Sequence, residues 1–113
     1  MIIAVDFDGT IVEHKFPEIG KEIPHAIDTL KFFQGLGHKI ILWTCREKNY
    51  LVKAIDFLND KGLYFDAINE NIEDLIEYSP RKIFADMYVD DRSFPGFKLD
   101  MWLELKDYVI NRK

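Results

Sequence analysis

Two aspartates one residue apart, Asp6 and Asp8, follow a short apolar run from Ile2 to Val5 and lead into Gly9 and Thr10. Along an extended chain alternate side chains share a face, so both carboxylates can point into one small volume. Charges that close repel unless a cation or a shared proton offsets them. A pair of this kind suits Mg²⁺ binding or proton transfer. Three further groups stand at the edges of apolar runs: Thr44 after Ile40 to Trp43, and Asp90 with Asp91 after Ile83 to Val89, with Lys82 just upstream of that last run. Mg²⁺ prefers six oxygens and usually keeps waters, one or two carboxylates and a substrate phosphate. Asp6 and Asp90 are the natural carboxylate ligands, joined by a main-chain carbonyl near Asp8. The metal and Lys82 would neutralise a phosphoryl group, which is the chief need in phosphoryl transfer. A carboxylate can itself be the nucleophile, and Asp8 could protonate the leaving oxygen and then deprotonate the attacking water.

An isolated Asp-x-Asp-Gly is equally well read as a polar turn leaving a strand. The other groups change that reading only if one sheet brings them together. Ile2 to Val5 and Ile40 to Trp43 have the continuous apolar character of strands buried on both faces. Tyr64 to Ile68 is a weaker third strand, and the fourth lies within Ile83 to Val89. Between them, Ile23, Ala26, Ile27, Leu30 and Phe33 are spaced as a helix starting at Pro24 and stopped by Gly35 and Gly37. Leu51, Ala54, Ile55 and Leu58 predict a second helix from about Glu47 to Lys61, closed by Gly62. Ile72, Leu75 and Ile76 mark a short helix ending before Pro80, and Trp102, Leu105 and Val109 a C-terminal one. The segment Ile11 to Glu22 reads as an irregular turn or small hairpin. Alternating strands and helices predict an α/β fold: one Rossmann-like, three-layer domain over residues 1–113, with a mainly parallel central sheet and helices on both faces. Ligands bind such sheets beyond the carboxyl ends of the strands, where the polar groups stand.

Composition narrows the function classes. Hydrophobic residues make up 48 % of the 113, nine of them Phe, enough for one packed core. The formal net charge of −5 argues against stable nucleic-acid binding through a broad basic surface. A single cysteine, Cys45, excludes an internal disulfide and a Cys-rich zinc site. The apolar start is too short and lacks the basic flank of a secretory signal, and no stretch is long enough to span a bilayer. The expectation is a cytoplasmic protein without a membrane partner.

Asp6-Phe7-Asp8-Gly9-Thr10 resembles the first motif, DxDGT, of the haloacid dehalogenase (HAD) superfamily. Ile41-Leu42-Trp43-Thr44 is similar to its second motif, Lys82 fits the third, and Tyr88-Val89-Asp90-Asp91 resembles the fourth, all in the family's order. The resemblance implies Asp6 as nucleophile forming an aspartyl-phosphate, Asp8 as general acid/base, and Thr44 and Lys82 as phosphoryl anchors. It also implies Mg²⁺ held by Asp6, Asp8 and Asp90, with Asp91 binding through water or orienting the site. Lys82 stands closer to the acidic pair than in many members, and Arg81 is the other candidate for that cation. Neither Ile11 to Ile23 nor Asn69 to Arg81 has room for the cap domain that most members insert. A capless site implies a phosphorylated macromolecule that covers it, or a small phosphorylated metabolite with a partner subunit, as in a homo-oligomer.

The remaining reactive residues have plainer readings. Cys45 lacks an arginine after five intervening residues, where Leu51 stands, so a thiol phosphatase is not indicated. Arg46 is placed at the rim, as a contact for a second anionic group or as a surface ion pair. Of His14, His25 and His38, only His14 falls in the loop after the first motif. Asp86, inside the predicted fourth strand, is paired with a base or supports the site. The reading is a Mg²⁺-dependent phosphohydrolase. Its rivals are a receiver-like phosphoacceptor domain, which orders its acidic, hydroxyl and ammonium groups differently, and a HAD-like binding module with vestigial chemistry.

Overall fold

Ile2 to Val5 forms β1 (Ile2–Val5), buried on both faces along its whole length. A strand so apolar has to lie inside a sheet, and β1 pairs in parallel with β2 (Lys39–Leu42) on one side and β4 (Met87–Val89) on the other. A short β3 (Ala67–Ile68) extends the far edge of β2, giving an all-parallel sheet in the order β3-β2-β1-β4. The computed structural model describes residues 1–72 and 82–112. Its helices are α1 (Ala26–Gly35), α2 (Lys48–Asp60) and α3 (Trp102–Asn111), and the fold is a Rossmann-like α/β domain. Among the described residues, no helix is long and apolar enough to cross a membrane.

Alternation along β1 divides the core. Ile3 and Val5 join a cluster with Leu30 and Phe33 of α1, Ala54 and Leu58 of α2, and Trp102 and Val109 of α3. Ile2 and Ala4 turn the other way, with Ile41, Ala67 and Ile83, against Trp43 and Ile72. Fully burying each large aliphatic or aromatic side chain contributes roughly 1.5–3 kcal/mol, so the first cluster is the main stabilising unit.

Register matters most for the site. Val5 lies opposite Leu42 in β2 and Val89 in β4, so the three strands stop at one level. The residues that follow, Asp6, Trp43 with Thr44, and Asp90, leave the sheet at the same edge. The Asp6 N–H donates to Val89 O at 3.0 Å and the Trp43 N–H to Val5 O at 2.9 Å, which ties the strand ends together.

Several element boundaries differ from the sequence expectation. Helix α1 begins at Ala26 rather than Pro24, because His25 before it takes a left-handed conformation with φ 71°. Ile23 is buried ahead of the helix, its N–H donating to Ile11 O. The segment between is hairpin-like, with an antiparallel bridge from Val12 to Glu22. β3 and β4 are much shorter than Tyr64 to Ile68 and Ile83 to Val89, since Asp66 and Asp86 serve a different purpose. The Asp86 carboxylate accepts the Ile2 N–H at 2.7 Å, and the Asp66 carboxylate accepts the Ile40 N–H at 2.8 Å. Each aspartate satisfies a donor in the first two residues of the adjoining strand, at the sheet's far end. Asp86 is thus a structural cap at the end of the sheet away from the site, and it forms no ion pair with any described base. Leu75 and Ile76 of the expected short helix, and Arg81, lie outside the described residues.

Candidate active site

The turn after β1 is fixed by its own backbone. Phe7 buries its ring in the core, which leaves Asp6 and Asp8 projecting together, and its carbonyl accepts the N–H groups of Thr10, Ile11 and Val12. Thr10 is fully buried, and its hydroxyl donates to Asp6 Oδ2 at 3.3 Å while its carbonyl accepts the Trp102 indole N–H at 3.0 Å. Gly9 has φ +85°, and a Cβ there would lie 2.6 Å from Asp91 Oδ2. Only glycine allows both that conformation and the close approach of the second acidic pair.

Asp6, Asp90 and Asp91 each bring a carboxylate oxygen within 4.8 Å of the other two. Asp91 Oδ1 is buried and has no hydrogen-bond partner among the described residues. A buried acceptor left in that state is costly, and a divalent cation with oxygen preference is the species that would satisfy it. The Asp6 carboxyl is raised from 3.8 to about 7. Burial is the largest cause, followed by the charge of Asp90 and a hydrogen bond with Asp91 that exists only while that pair shares a proton. The three carboxylates therefore fit a Mg²⁺ ion, which would supply the charge their proximity lacks.

This crowding has a pH signature. Because folding raises the Asp6 pKa, the folded metal-free protein binds more protons than the unfolded chain between about pH 4 and 7. The contribution is fully present below that window and is lost as pH rises through about 7. After allowing for solvent screening of a partly exposed group, the loss is about 1 kcal/mol, or about 5 °C in melting temperature. Melting curves of the metal-free protein should therefore drop by that amount relative to Asp6→Asn across the window, and Mg²⁺ should restore it. Parallel curves for the two proteins would contradict the shift.

A cavity of about 390 Å³ opens above this floor, lined by Asp6, Asp8, Thr44 and Asp90, so four predicted site residues meet in one place. Asp91 stands behind Asp90, against Gly9. Thr44 is clamped through its main chain: its N–H donates to Asn69 Oδ1 at 2.8 Å and its carbonyl accepts from Asn69 Nδ2 at 3.0 Å. Its hydroxyl oxygen accepts the Arg46 N–H at 3.1 Å, which leaves the hydroxyl proton free to donate into the cavity.

Arg46 does not sit at the rim. It is 1 % exposed, and its Nε and Nη2 each donate to one carboxylate oxygen of Asp8 at 2.8 Å. Nη1 also donates to Pro17 O and Tyr50 O and Nη2 to Glu18 O, and the guanidinium carbon lies 5.2 and 5.0 Å from the centroids of the Phe7 and Phe16 rings. With no donor left over, Arg46 orients Asp8 rather than meeting a second anionic group. The Asp8 side chain is correspondingly outside the metal-binding cluster, and only its main chain remains for that purpose.

Lys82 is exposed and lies off the cavity, its Nζ 5.6 Å from the centroid of the Tyr88 ring. The cavity instead carries Arg92, whose N–H donates to Asp90 Oδ1 at 2.9 Å and whose side chain forms no ion pair with any described residue. Phe16, Cys45, His14 and the buried Arg46 complete the lining. Of the contributors given no role in the sequence reading, Thr10, which closes the first acidic motif, and Arg92, next to Asp91, had a signal in their position beside the carboxylates. Phe16 and Asn69 had none, because both act across long separations.

A solved structure, described as that of a conserved protein coded by a locus from Bacteroides thetaiotaomicron, matches the chain with a TM-score of 0.91 and 42 % identity. The match covers 100 % of this chain and 92 % of that one. No protein-family model and no curated protein matches the chain.

Proposed function

The chain belongs to the family of the conserved Bacteroides thetaiotaomicron protein, and for it we propose a Mg²⁺-dependent hydrolysis of phosphate monoesters by a capless HAD-like site. The observation that carries this reading is the floor of the cavity: three carboxylates within 4.8 Å, one with a buried oxygen that no described residue satisfies. Asp6, Asp90 and Asp91 would hold the ion, which when bound supplies positive charge beside the phosphoryl oxygens.

An Asp6 oxygen attacks phosphorus and the ester P–O bond breaks, while Asp8, carrying a proton on an oxygen lone pair that Arg46 leaves free, gives it to the leaving oxygen and becomes the carboxylate that the Arg46 ion pair stabilises. In the second step Asp8 takes a proton from water, the water oxygen bonds to phosphorus, and the bond from phosphorus to Asp6 breaks. Asp8 is held by Arg46 for both transfers, in an orientation set by two hydrogen bonds. The Thr44 hydroxyl donates to a phosphoryl oxygen, and Arg92 supplies the nearby cation that Lys82, over Tyr88, is not placed to give. The strand order β3-β2-β1-β4 supports this reading over a receiver domain, whose sheet runs 2-1-3-4-5.

The test is hydrolysis of p-nitrophenyl phosphate before and after chelation. EDTA should abolish turnover and added Mg²⁺ should restore it; activity indifferent to the ion would remove the role given to Asp90 and Asp91. With an acyl phosphate, continuous turnover supports the enzyme, whereas a stable phospho-aspartate would point to a receiver.

A further inference from the structure

The wall of the cavity selects the leaving group. We propose that the substrate is an aryl phosphomonoester whose ring stacks on Phe16, an inference that rests on the phosphohydrolase reading above and narrows it.

Phe16 is 48 % exposed, an unfavourable setting for a phenyl ring, yet it is held on two sides. The Tyr50 ring meets it edge-on with centroids 5.3 Å apart, and the Arg46 guanidinium lies 5.0 Å from its centroid. Arg46 also binds the carbonyls of Pro17 and Glu18, the next two residues of the same loop. The loop and the ring are therefore pinned by one buried cation, and the exposed part of the ring borders the cavity as a fixed apolar surface. A platform ordered before binding loses little entropy when a ligand stacks on it.

Its position gives the platform a purpose. The Arg46 guanidinium touches both the Phe16 ring and the Asp8 carboxylate, and both line the same cavity. Asp8 is the group that protonates the departing oxygen, so the leaving group must lie beside Asp8 and hence beside Phe16. An aromatic group attached directly to that oxygen reaches the ring and gains stacking beyond its area burial. A methyl or sugar carbon at that place offers no flat face. His14, on the same loop, lines the same cavity.

The experiment measures equilibrium binding of inert phosphonates in the presence of Mg²⁺, which separates recognition from leaving-group reactivity. Benzylphosphonate, an isostere of phenyl phosphate, should bind about tenfold more tightly than methylphosphonate. Phe16→Ala should reduce that ratio to about twofold or less with inorganic phosphate binding unchanged, and Phe16→Tyr should keep it. Should Phe16→Ala fail to fold, Phe16→Leu is read the same way. Equal binding of the two phosphonates by the wild type, or an undiminished ratio in the variants, would overturn the aryl assignment while leaving the phosphohydrolase standing. Failure of inorganic phosphate and every phosphonate to bind would overturn both. A peptide bearing phosphonomethylphenylalanine distinguishes the sources: tighter binding than benzylphosphonate supports a phosphotyrosine protein, and weaker binding supports a small aryl phosphate.

Discussion

Asp6→Asn is expected to lower p-nitrophenyl phosphate turnover at least about a thousandfold while making the metal-free protein more stable at neutral pH. The two effects share one cause. Asp6 is a partly buried carboxylate with an oxygen within 4.8 Å of oxygens of Asp90 and Asp91, and burial first, then the Asp90 charge, push its pKa up to about 7 in the absence of a cation. An asparagine keeps the oxygen that accepts the Thr10 hydroxyl and removes the charge. Strain is relieved and the nucleophile is lost together, the trade expected where a fold stores repulsion for function. Stopped assays and melting curves of the same sample decide the matter. Wild-type-like turnover would refute the nucleophile, and an unchanged or lower melting temperature at neutral pH would refute the account of the strain.

How far the sequence alone reaches can be followed through individual residues. The placement of Asp6, Asp8, Thr44 and Asp90 was legible because parallel strands in register end at one level, and a short apolar run followed by a polar residue marks such an end. Strand starts were less legible. Asp66 and Asp86 look like interruptions in a pattern, and their use as acceptors for Ile40 and Ile2 depends on which strands adjoin. The start of α1 was misplaced because Pro24 suits a first helical turn, whereas the left-handed His25 delays it to Ala26. Arg46 was the largest miss. Local sequence places it just beyond a strand, where arginines are usually solvated. Its burial comes from the loop of Phe16 to Glu18 folding back across nearly thirty residues. The Asp8 side chain as a metal ligand fails for the same reason: both its oxygens are engaged by a partner 38 positions away.

That partner carries the largest predicted stability effect. Arg46→Met keeps the length and apolar contact of the side chain and removes its donors. Asp8, whose side chain is only 14 % exposed, would then be left with an uncompensated charge, and Pro17 O and Glu18 O would each lose their donor. Removing one partner of a buried pair costs about 3–5 kcal/mol, a large share of the 5–15 kcal/mol (roughly) that holds a domain together. The melting temperature should fall by more than about 10 °C. Arg46→Lys should recover little, because a single ammonium cannot bridge both Asp8 oxygens and the carbonyls of Pro17, Glu18 and Tyr50 at once. Pairing Arg46→Met with Asp8→Asn should recover part of the loss by removing the stranded charge, and the coupling in that double-mutant cycle isolates the ion pair from the carbonyl contacts. Strictly additive effects would mean that Arg46 is held by the loop alone. The buried guanidinium would then have no part in aiming Asp8, and the orientation of the proposed general acid would have to come from the turn at Gly9.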